Sequence, residues 1–521
     1  MALPALARPT HSKELPRVPA RRLRPFADIL AGALILLCVV WLNGRPVVFA
    51  DTNIYNWMGQ MQLRPIRYAL SPLIGGPSRA SEDPDAADEL PAELHLRRTE
   101  MAARSPWFGI ILYIFAGLGD LWRFAALQAL AASFAVHALW RAVSPRRSFV
   151  SWIALIGGVS LTSTLPFFVG FAMPDLWAGT GLAALATLLV YGRRVGPWTT
   201  AGLALLVLAS LLFHHSNMLV ALPAVALISV VATRGLRWPV RALWRGWAVL
   251  TAAILITLAM NAGYIGAVRA ATGETLRSPP FIAARLLADG PGRRYLKSSC
   301  AVGGTWTLCA FADLPLTDSQ DILWSGDPKK GVFGRATAEQ RIAIDQEQIP
   351  FALHVIASDP LGVILAATRN AAQELVSVQL DDPLRDPYVY LTDKDWRDTF
   401  IADMVHKIAD CGADQTLCRP RWTEAQSAVW HGGWFAASVL FVGFMLTRRD
   451  APLSKSRTRL ILVAGLFGAA LVLNAAVTGA LSGPFPRYQA RLAWLAPLVA
   501  GLMASRARRP PKAFGRDAHS V

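Results

Sequence analysis

Long apolar stretches alternate with short basic connections over most of this chain, the pattern of helices whose solvent is a bilayer. A helix needs about 20 mostly apolar residues to cross a hydrocarbon core of about 30 Å. Stretches approaching that length run from Phe26 to Leu42, Leu121 to Trp140, Phe149 to Val169, Leu176 to Tyr191, Trp198 to Phe213, Met218 to Thr233 and Trp247 to Ala267. Three more run from Trp430 to Leu446, Leu460 to Leu481 and Tyr488 to Met503. The pattern predicts an all-α polytopic membrane protein of about ten transmembrane helices. A further run, Trp107 to Gly119, reaches only about 20 Å as a helix and reads as a re-entrant or interfacial segment. The first apolar run is long and lacks a small-residue cleavage site after it, so it is expected to remain as the first span.

The intervening segments complete the organisation. Residues 1–25 form a basic tail, 26–267 hold spans one to seven with a first outer loop at 44–105, and 268–428 form a large extracytoplasmic domain. Residues 429–504 hold the last three spans and 505–521 a second basic tail. Within the first loop, Asn53 to Leu70 reads as an amphipathic surface helix, followed by a Pro- and acid-rich stretch from Ser81 to Glu93. The large domain reads as mixed short helices and loops, most helical from Ala336 to Gln346 and from Val363 to Leu380.

Composition agrees with a membrane class: 54% of residues are hydrophobic and 17% charged. The net charge of +17 changes the picture only through its distribution. The tails and alternate connections hold 25 basic residues against three acidic ones, or +22, whereas 44–105 and 268–428 hold 24 against 29, or −5. That is the positive-inside rule repeated along the chain. Both termini are expected in the cytoplasm of a bacterial cell, the protein in the inner membrane and its function on the periplasmic side. Nucleic acid is not an expected partner; membrane lipid is.

Cys300, Cys309, Cys411 and Cys418 all fall in the large outer segment, while Cys38 lies in the first span. Four cysteines confined to one side fit disulfides in an oxidising compartment, and spacings of nine and seven are not those of zinc pairs. Local pairing, Cys300 with Cys309 and Cys411 with Cys418, is favoured over cross-pairing.

Ionisable groups kept near a membrane are functional candidates by default. Four places at the predicted outer interface qualify. Asp51 follows the first span, where a helix N-cap is the competing reading. Asp175 follows Pro174 between the third and fourth spans, again a position suited to a cap. His214 and His215 occupy the turn between the fifth and sixth spans; adjacent histidines cannot share a helix face, which argues against a paired metal site. Arg487 and Arg491, four apart beside Tyr488, share a helix face, where snorkelling to lipid phosphate competes with binding a substrate phosphate. No Walker loop, GxGxxG, HExxH or GxSxG motif is present.

Asp51 just after the first span, Tyr55 in the following helix, and Arg104-Ser105-Pro106-Trp107-Phe108 before an apolar stretch together resemble the N-terminal half of the GT-C glycosyltransferases. Asp175 resembles the acidic residue that family often places in its second outer loop. The resemblance covers roughly residues 26 to 230. It implies transfer of a sugar from a polyprenyl-phosphate-linked donor to a glycan, lipid or protein acceptor. Asp51 and Asp175 would be the catalytic carboxylates, with Tyr55, Arg104, His214, Arg487, Tyr488 and Arg491 binding substrate. It fixes no cofactor and leaves room for a divalent cation. The large segment between the seventh and eighth spans departs from several family members, whose soluble domain follows the last span. The segment itself, with Asp313-Leu314-Pro315 and Ile322-Leu323-Trp324 after the first cysteine pair, resembles proteobacterial membrane proteins of similar length. A transporter or lipid flippase would show internal repeats and charged span centres, neither of which is evident. A non-catalytic envelope assembly protein remains a third class.

Overall fold

A computed structural model describes residues 20–44, 46–49, 51–63 apart from 53, 57, 60 and 61, 104–117, 121–144, 148–273, 276, 278–380, 424–447 and 454–507. Among these the chain is all-helical, with no strand. Seven helical stretches are long and apolar enough to cross a membrane: Arg24–Leu42, Leu121–Val143, Asp175–Arg194, Ser216–Gly235, Trp244–Ala270, Ala425–Thr447 and Lys455–Leu481.

The main helices are α1 (Ala20–Leu36), α2 (Cys38–Asn43), α3 (Pro106–Gly117), α4 (Leu121–Val143), α5 (Phe149–Thr162), α6 (Leu165–Gly170), α7 (Asp175–Tyr191), α8 (Pro197–Phe213), α9 (Ser216–Val230) and α10 (Trp244–Thr272). They continue with α11 (Phe281–Asp289), α12 (Pro291–Ala301), α13 (Ser319–Trp324), α14 (Ala338–Ser358), α15 (Pro360–Val376), α16 (Glu424–Thr447), α17 (Lys455–Leu481), α18 (Pro486–Ala493) and α19 (Leu495–Ala507). Three of the ten expected spans take shorter forms. The third is α5, then a break at Ser163 and Thr164, then α6. The fifth is the 17-residue α8. The tenth divides at Trp494 into α18 and α19. The run expected to be re-entrant forms the 12-residue α3.

Helix α7 is the axis of the bundle and is buried along its whole length. A helix apolar on every side belongs inside, and small residues let neighbours approach it. A Cβ added at Gly179 would lie 2.6 Å from the Trp494 ring, and one at Gly181 would lie 2.4 Å from Ser210. At the end of the bundle that the positive-inside reading places in the cytoplasm, α1, α4 and α5 are tied by polar contacts. His137 Nε2 lies 3.3 Å from the Asp28 carboxylate and Trp152 Nε1 donates to the Asp28 carbonyl at 2.6 Å.

Residues 281–355 form a second, smaller core around Leu287, Leu296, Phe333 and Phe351. Cys300 and Cys309 form the expected disulfide there; Cys411 and Cys418 lie outside the described residues. The helices expected near 336–346 and 363–380 are α14 and α15, which meet at Asp359 and Pro360 with a bend of 106°. Thr337 caps α14 in a full capping box with Gln340. Asp359 caps α15 by accepting from the Gly362 amide. Helix α15 packs along α17, joining this unit to the bundle.

Candidate functional site

The two candidate carboxylates are brought together by backbone. The chain leaves α2 through Gly44, whose φ of 80° suits a residue without a side chain. It then runs extended, and Val47 pairs with the segment that precedes α7. Its amide donates to the Gly170 carbonyl at 2.9 Å and its carbonyl accepts from the Ala172 amide at 2.9 Å. Thr52 accepts from the Phe49 amide and donates to the Ala172 carbonyl. Gln128, reaching from α4, donates to the Val169 and Phe171 carbonyls. Asp51 and Asp175 are thereby fixed at one end of the bundle.

Three arginines enter the same region. Arg104 precedes α3, where Ser105 accepts from the Phe108 amide and donates to the Leu212 carbonyl, tying the helix start to the end of α8. The helical residues from 51 onward lie against α3 through facing glycines: a Cβ on Gly59 would fall 2.1 Å from the Gly109 carbonyl oxygen. Arg104 donates to the Asp51 carboxylate at 2.6 Å. Its guanidinium also lies 5.7 Å from the centre of the Trp324 ring, which comes from α13 of the smaller unit.

Arg487 and Arg491 project from α18 toward Asp175, at 4.0 and 3.7 Å. Asn474 of α17 holds that helix by donating to the Tyr488 carbonyl and the Gln489 side chain while accepting from Arg491 at 2.8 Å. Arg491 also donates to Ser216, which is 2.8 Å from His214 Nδ1. The Arg487 guanidinium lies over the Phe49 and Tyr488 rings, at 5.0 and 5.6 Å. Tyr55 packs its ring on Phe108.

Asp175 does begin a helix, but its carboxylate is 3% exposed and faces two guanidiniums; near Asp51, the Thr52 hydroxyl accepts from the Phe49 amide. Arg491 and Arg487 are 0% and 9% exposed, so they do not snorkel to lipid. His215 turns away to Asn261 of α10, and Trp107 donates to the same residue. Among the described residues no three His, Cys, Asp or Glu side chains cluster as a metal centre.

Electrostatics follow from this packing. Burial alone would raise the Asp51 pKa, but the charges of Arg104 and Arg487 and the Arg104 hydrogen bond hold it below the ordinary carboxylate value. Burial drives the His214 pKa well below its ordinary value, and Arg491 and its cationic neighbours push it further, so the imidazole is neutral near pH 7. Burial raises the Tyr55 phenol, which stays protonated.

Sequence reasoning missed Asn474, Ser216 and Trp324, which position the arginines, and Glu374. Glu374 lies on α15, is fully buried and acts electrostatically on Arg491. Fold and site together define a polytopic helical protein of membrane type, with a cluster of carboxylates and guanidiniums at one end of its bundle, buried around Asp175 and half-buried around Asp51. No family model, curated protein or solved structure matches the chain.

Proposed function

We propose that this chain is an integral membrane glycosyltransferase of GT-C type, taking sugar from a polyprenyl-phosphate-linked donor at the periplasmic face of the inner membrane. The observation that carries the reading is the convergence of Asp51, Asp175, Arg104, Arg487 and Arg491 from four separate parts of the sequence into one largely buried cluster. Such a concentration of charge at the end of an apolar bundle is costly to keep for structure alone. An anionic headgroup anchored in the bilayer does need cations at the helix ends.

In the proposed reaction an acceptor hydroxyl attacks the anomeric carbon of the donor sugar. The bond from that carbon to the lipid phosphate breaks, and the leaving phosphate carries away the electron pair. Arg487 and Arg104 stabilise the charge developing on it. The hydroxyl proton passes to Asp51, and attack opposite the leaving group inverts the anomeric centre. While paired with Arg104, Asp51 is a weak base. A donor phosphate that draws the guanidinium toward itself weakens this pairing and makes the carboxylate more basic as substrate arrives. Asp175 holds Arg487 and Arg491 in place. Neutral His214, through Ser216, supports Arg491.

Deletion of the gene tests the reading through the lipid-linked sugar pool. Accumulation of a polyprenyl-phosphate sugar in the periplasmic leaflet, with loss of one envelope glycan, is expected. Accumulation in the cytoplasmic leaflet would mark a flippase, and an unchanged pool with unchanged glycans would remove transferase activity from the account.

A further inference from the structure

The elbow between α14 and α15 carries an apolar surface that the smaller core leaves uncovered. Ile349, Leu353 and Ile356 on α14 and Leu361, Ile364 and Leu365 on α15 are 44 to 65% exposed. From 348 to 368 the only Asp, Glu, Lys or Arg is Asp359, which is paired with Arg294 of α12, and the one histidine, His354, donates from Nδ1 to the Pro350 carbonyl of its own helix. A water-facing helical pair alternates apolar and charged positions, whereas α14 and α15 together are long and apolar enough for a membrane span broken by their 106° bend.

The neighbours of the elbow indicate what covers it. Helix α15 lies directly along α17, itself long and apolar enough to span. The approach is close, since a Cβ on Gly479 would fall 2.8 Å from the Asn370 backbone. Val472 and Leu481 of α17 are themselves exposed. The apolar edge of the elbow thus continues the lipid-facing surface of the bundle; beyond it on α15, Asn370 and Glu374 turn inward, while Thr368, Arg369 and Gln373 are exposed.

We propose that the elbow Ile349–Leu365 is a monotopic lipid-embedded wedge, seated among the acyl chains of the leaflet next to the charged cluster. Phospholipid is its occupant, and the smaller unit is therefore held on the membrane rather than extended into water. The Arg294–Asp359 pair lies at headgroup level on the inner side of the bend. With that seat, the wedge fixes the helix that carries Glu374 beside Arg491. The proposal does not depend on the transferase reading.

The test uses the full chain in nanodiscs of phosphatidylethanolamine and phosphatidylglycerol doped with a phospholipid bearing a diazirine on its acyl chain. After irradiation and digestion, lipid adducts are expected on peptides covering 349–365 at a yield within about twofold of those from α16 and α17. Adducts confined to the spans, at least tenfold above the elbow, would overturn the proposal. A second measurement places nitroxides at Leu353, Leu361 and Leu365, with Gln346 as the polar reference, in a chain whose Cys38, Cys411 and Cys418 are replaced by serine. Faster relaxation by oxygen than by a water-soluble nickel chelate at the three leucines supports the wedge. Preference for the chelate would mean water, and protection from both would mean a protein partner; either refutes it.

Discussion

Asp175→Asn removes the negative charge that faces two buried guanidiniums while keeping side-chain size. Stripping one partner from a buried ion pair costs about 3–5 kcal/mol, most of it the penalty for the charge left behind. Contacts of 3.7 and 4.0 Å are loose for such pairs. Arg491 also keeps Asn474 and Ser216, so the low end, about 3 kcal/mol, applies. At 1.4 kcal/mol per decade that is roughly a hundredfold in the unfolding equilibrium. The assay is reversible unfolding of the purified protein in mixed micelles with increasing dodecyl sulfate. Arg487→Gln added to Asp175→Asn should restore part of the loss, because the second change removes one of the two buried charges that Asp175 faced. A cost below about 0.5 kcal/mol for Asp175→Asn, with simple additivity in the double variant, would show that the arginines are hydrated and that burial does not govern the cluster.

Three other outcomes follow from the same structure. The His214 pKa is depressed in the fold, so as pH drops below about 6.5 the unfolded chain takes the proton first, and the histidine's contribution to stability, intact above that value, is lost on the way down; His214→Gln should flatten the fall in thermal stability between pH 7 and 5, and an unaltered slope would contradict this. Opening the Cys300–Cys309 disulfide by Cys309→Ser should cost about 2–3 kcal/mol for a loop of this length, read by thermal unfolding of the smaller unit, and mass mapping should also find Cys411 joined to Cys418. Reporter fusions after Arg147, Arg194, Arg245 and Lys455 should read cytoplasmic and those near Ser81 and Gln320 external, and an external signal after Arg147 would overturn the proposed orientation.

Much of the candidate site was legible because its residues are costly where they stand. Asp51, Asp175 and the Arg487/Arg491 pair were visible as ionisable groups at the ends of apolar runs. What joins them was not. Val47 meets the Gly170–Ala172 segment through backbone atoms, which no side-chain pattern encodes, and Asn474 reads as a stray polar residue within a span until α18 is folded against it. Glu374 falls within the helical pattern from Val363 to Leu380, and periodicity cannot tell solvent from a buried arginine. The span pattern was legible in outline, but hydropathy averages over breaks. The turn at Ser163 and Thr164 is stabilised by Thr164 donating to the Ala490 carbonyl, a partner far along the chain, and the division at Trp494 leaves no mark in an apolar sequence. The sequence pattern places the elbow simply within the large extracytoplasmic domain, because its apolar run falls into two lengths too short to cross a bilayer alone.

The central claim is that Asp51 serves chemistry in addition to holding Arg104, and Asp51→Asn tests it most directly. The amide keeps size and an acceptor for the guanidinium but loses the charge and basicity that proton transfer requires. In a deletion strain complemented to equal membrane abundance, the account predicts that Asp51→Asn is folded and inserted. Its envelope glycans should match those of the deletion, and transfer from the lipid-linked donor should fall at least a hundredfold. Wild-type glycans with Asp51→Asn, in a background where deletion alters them, would contradict the claim and leave Asp51 as the structural partner of Arg104.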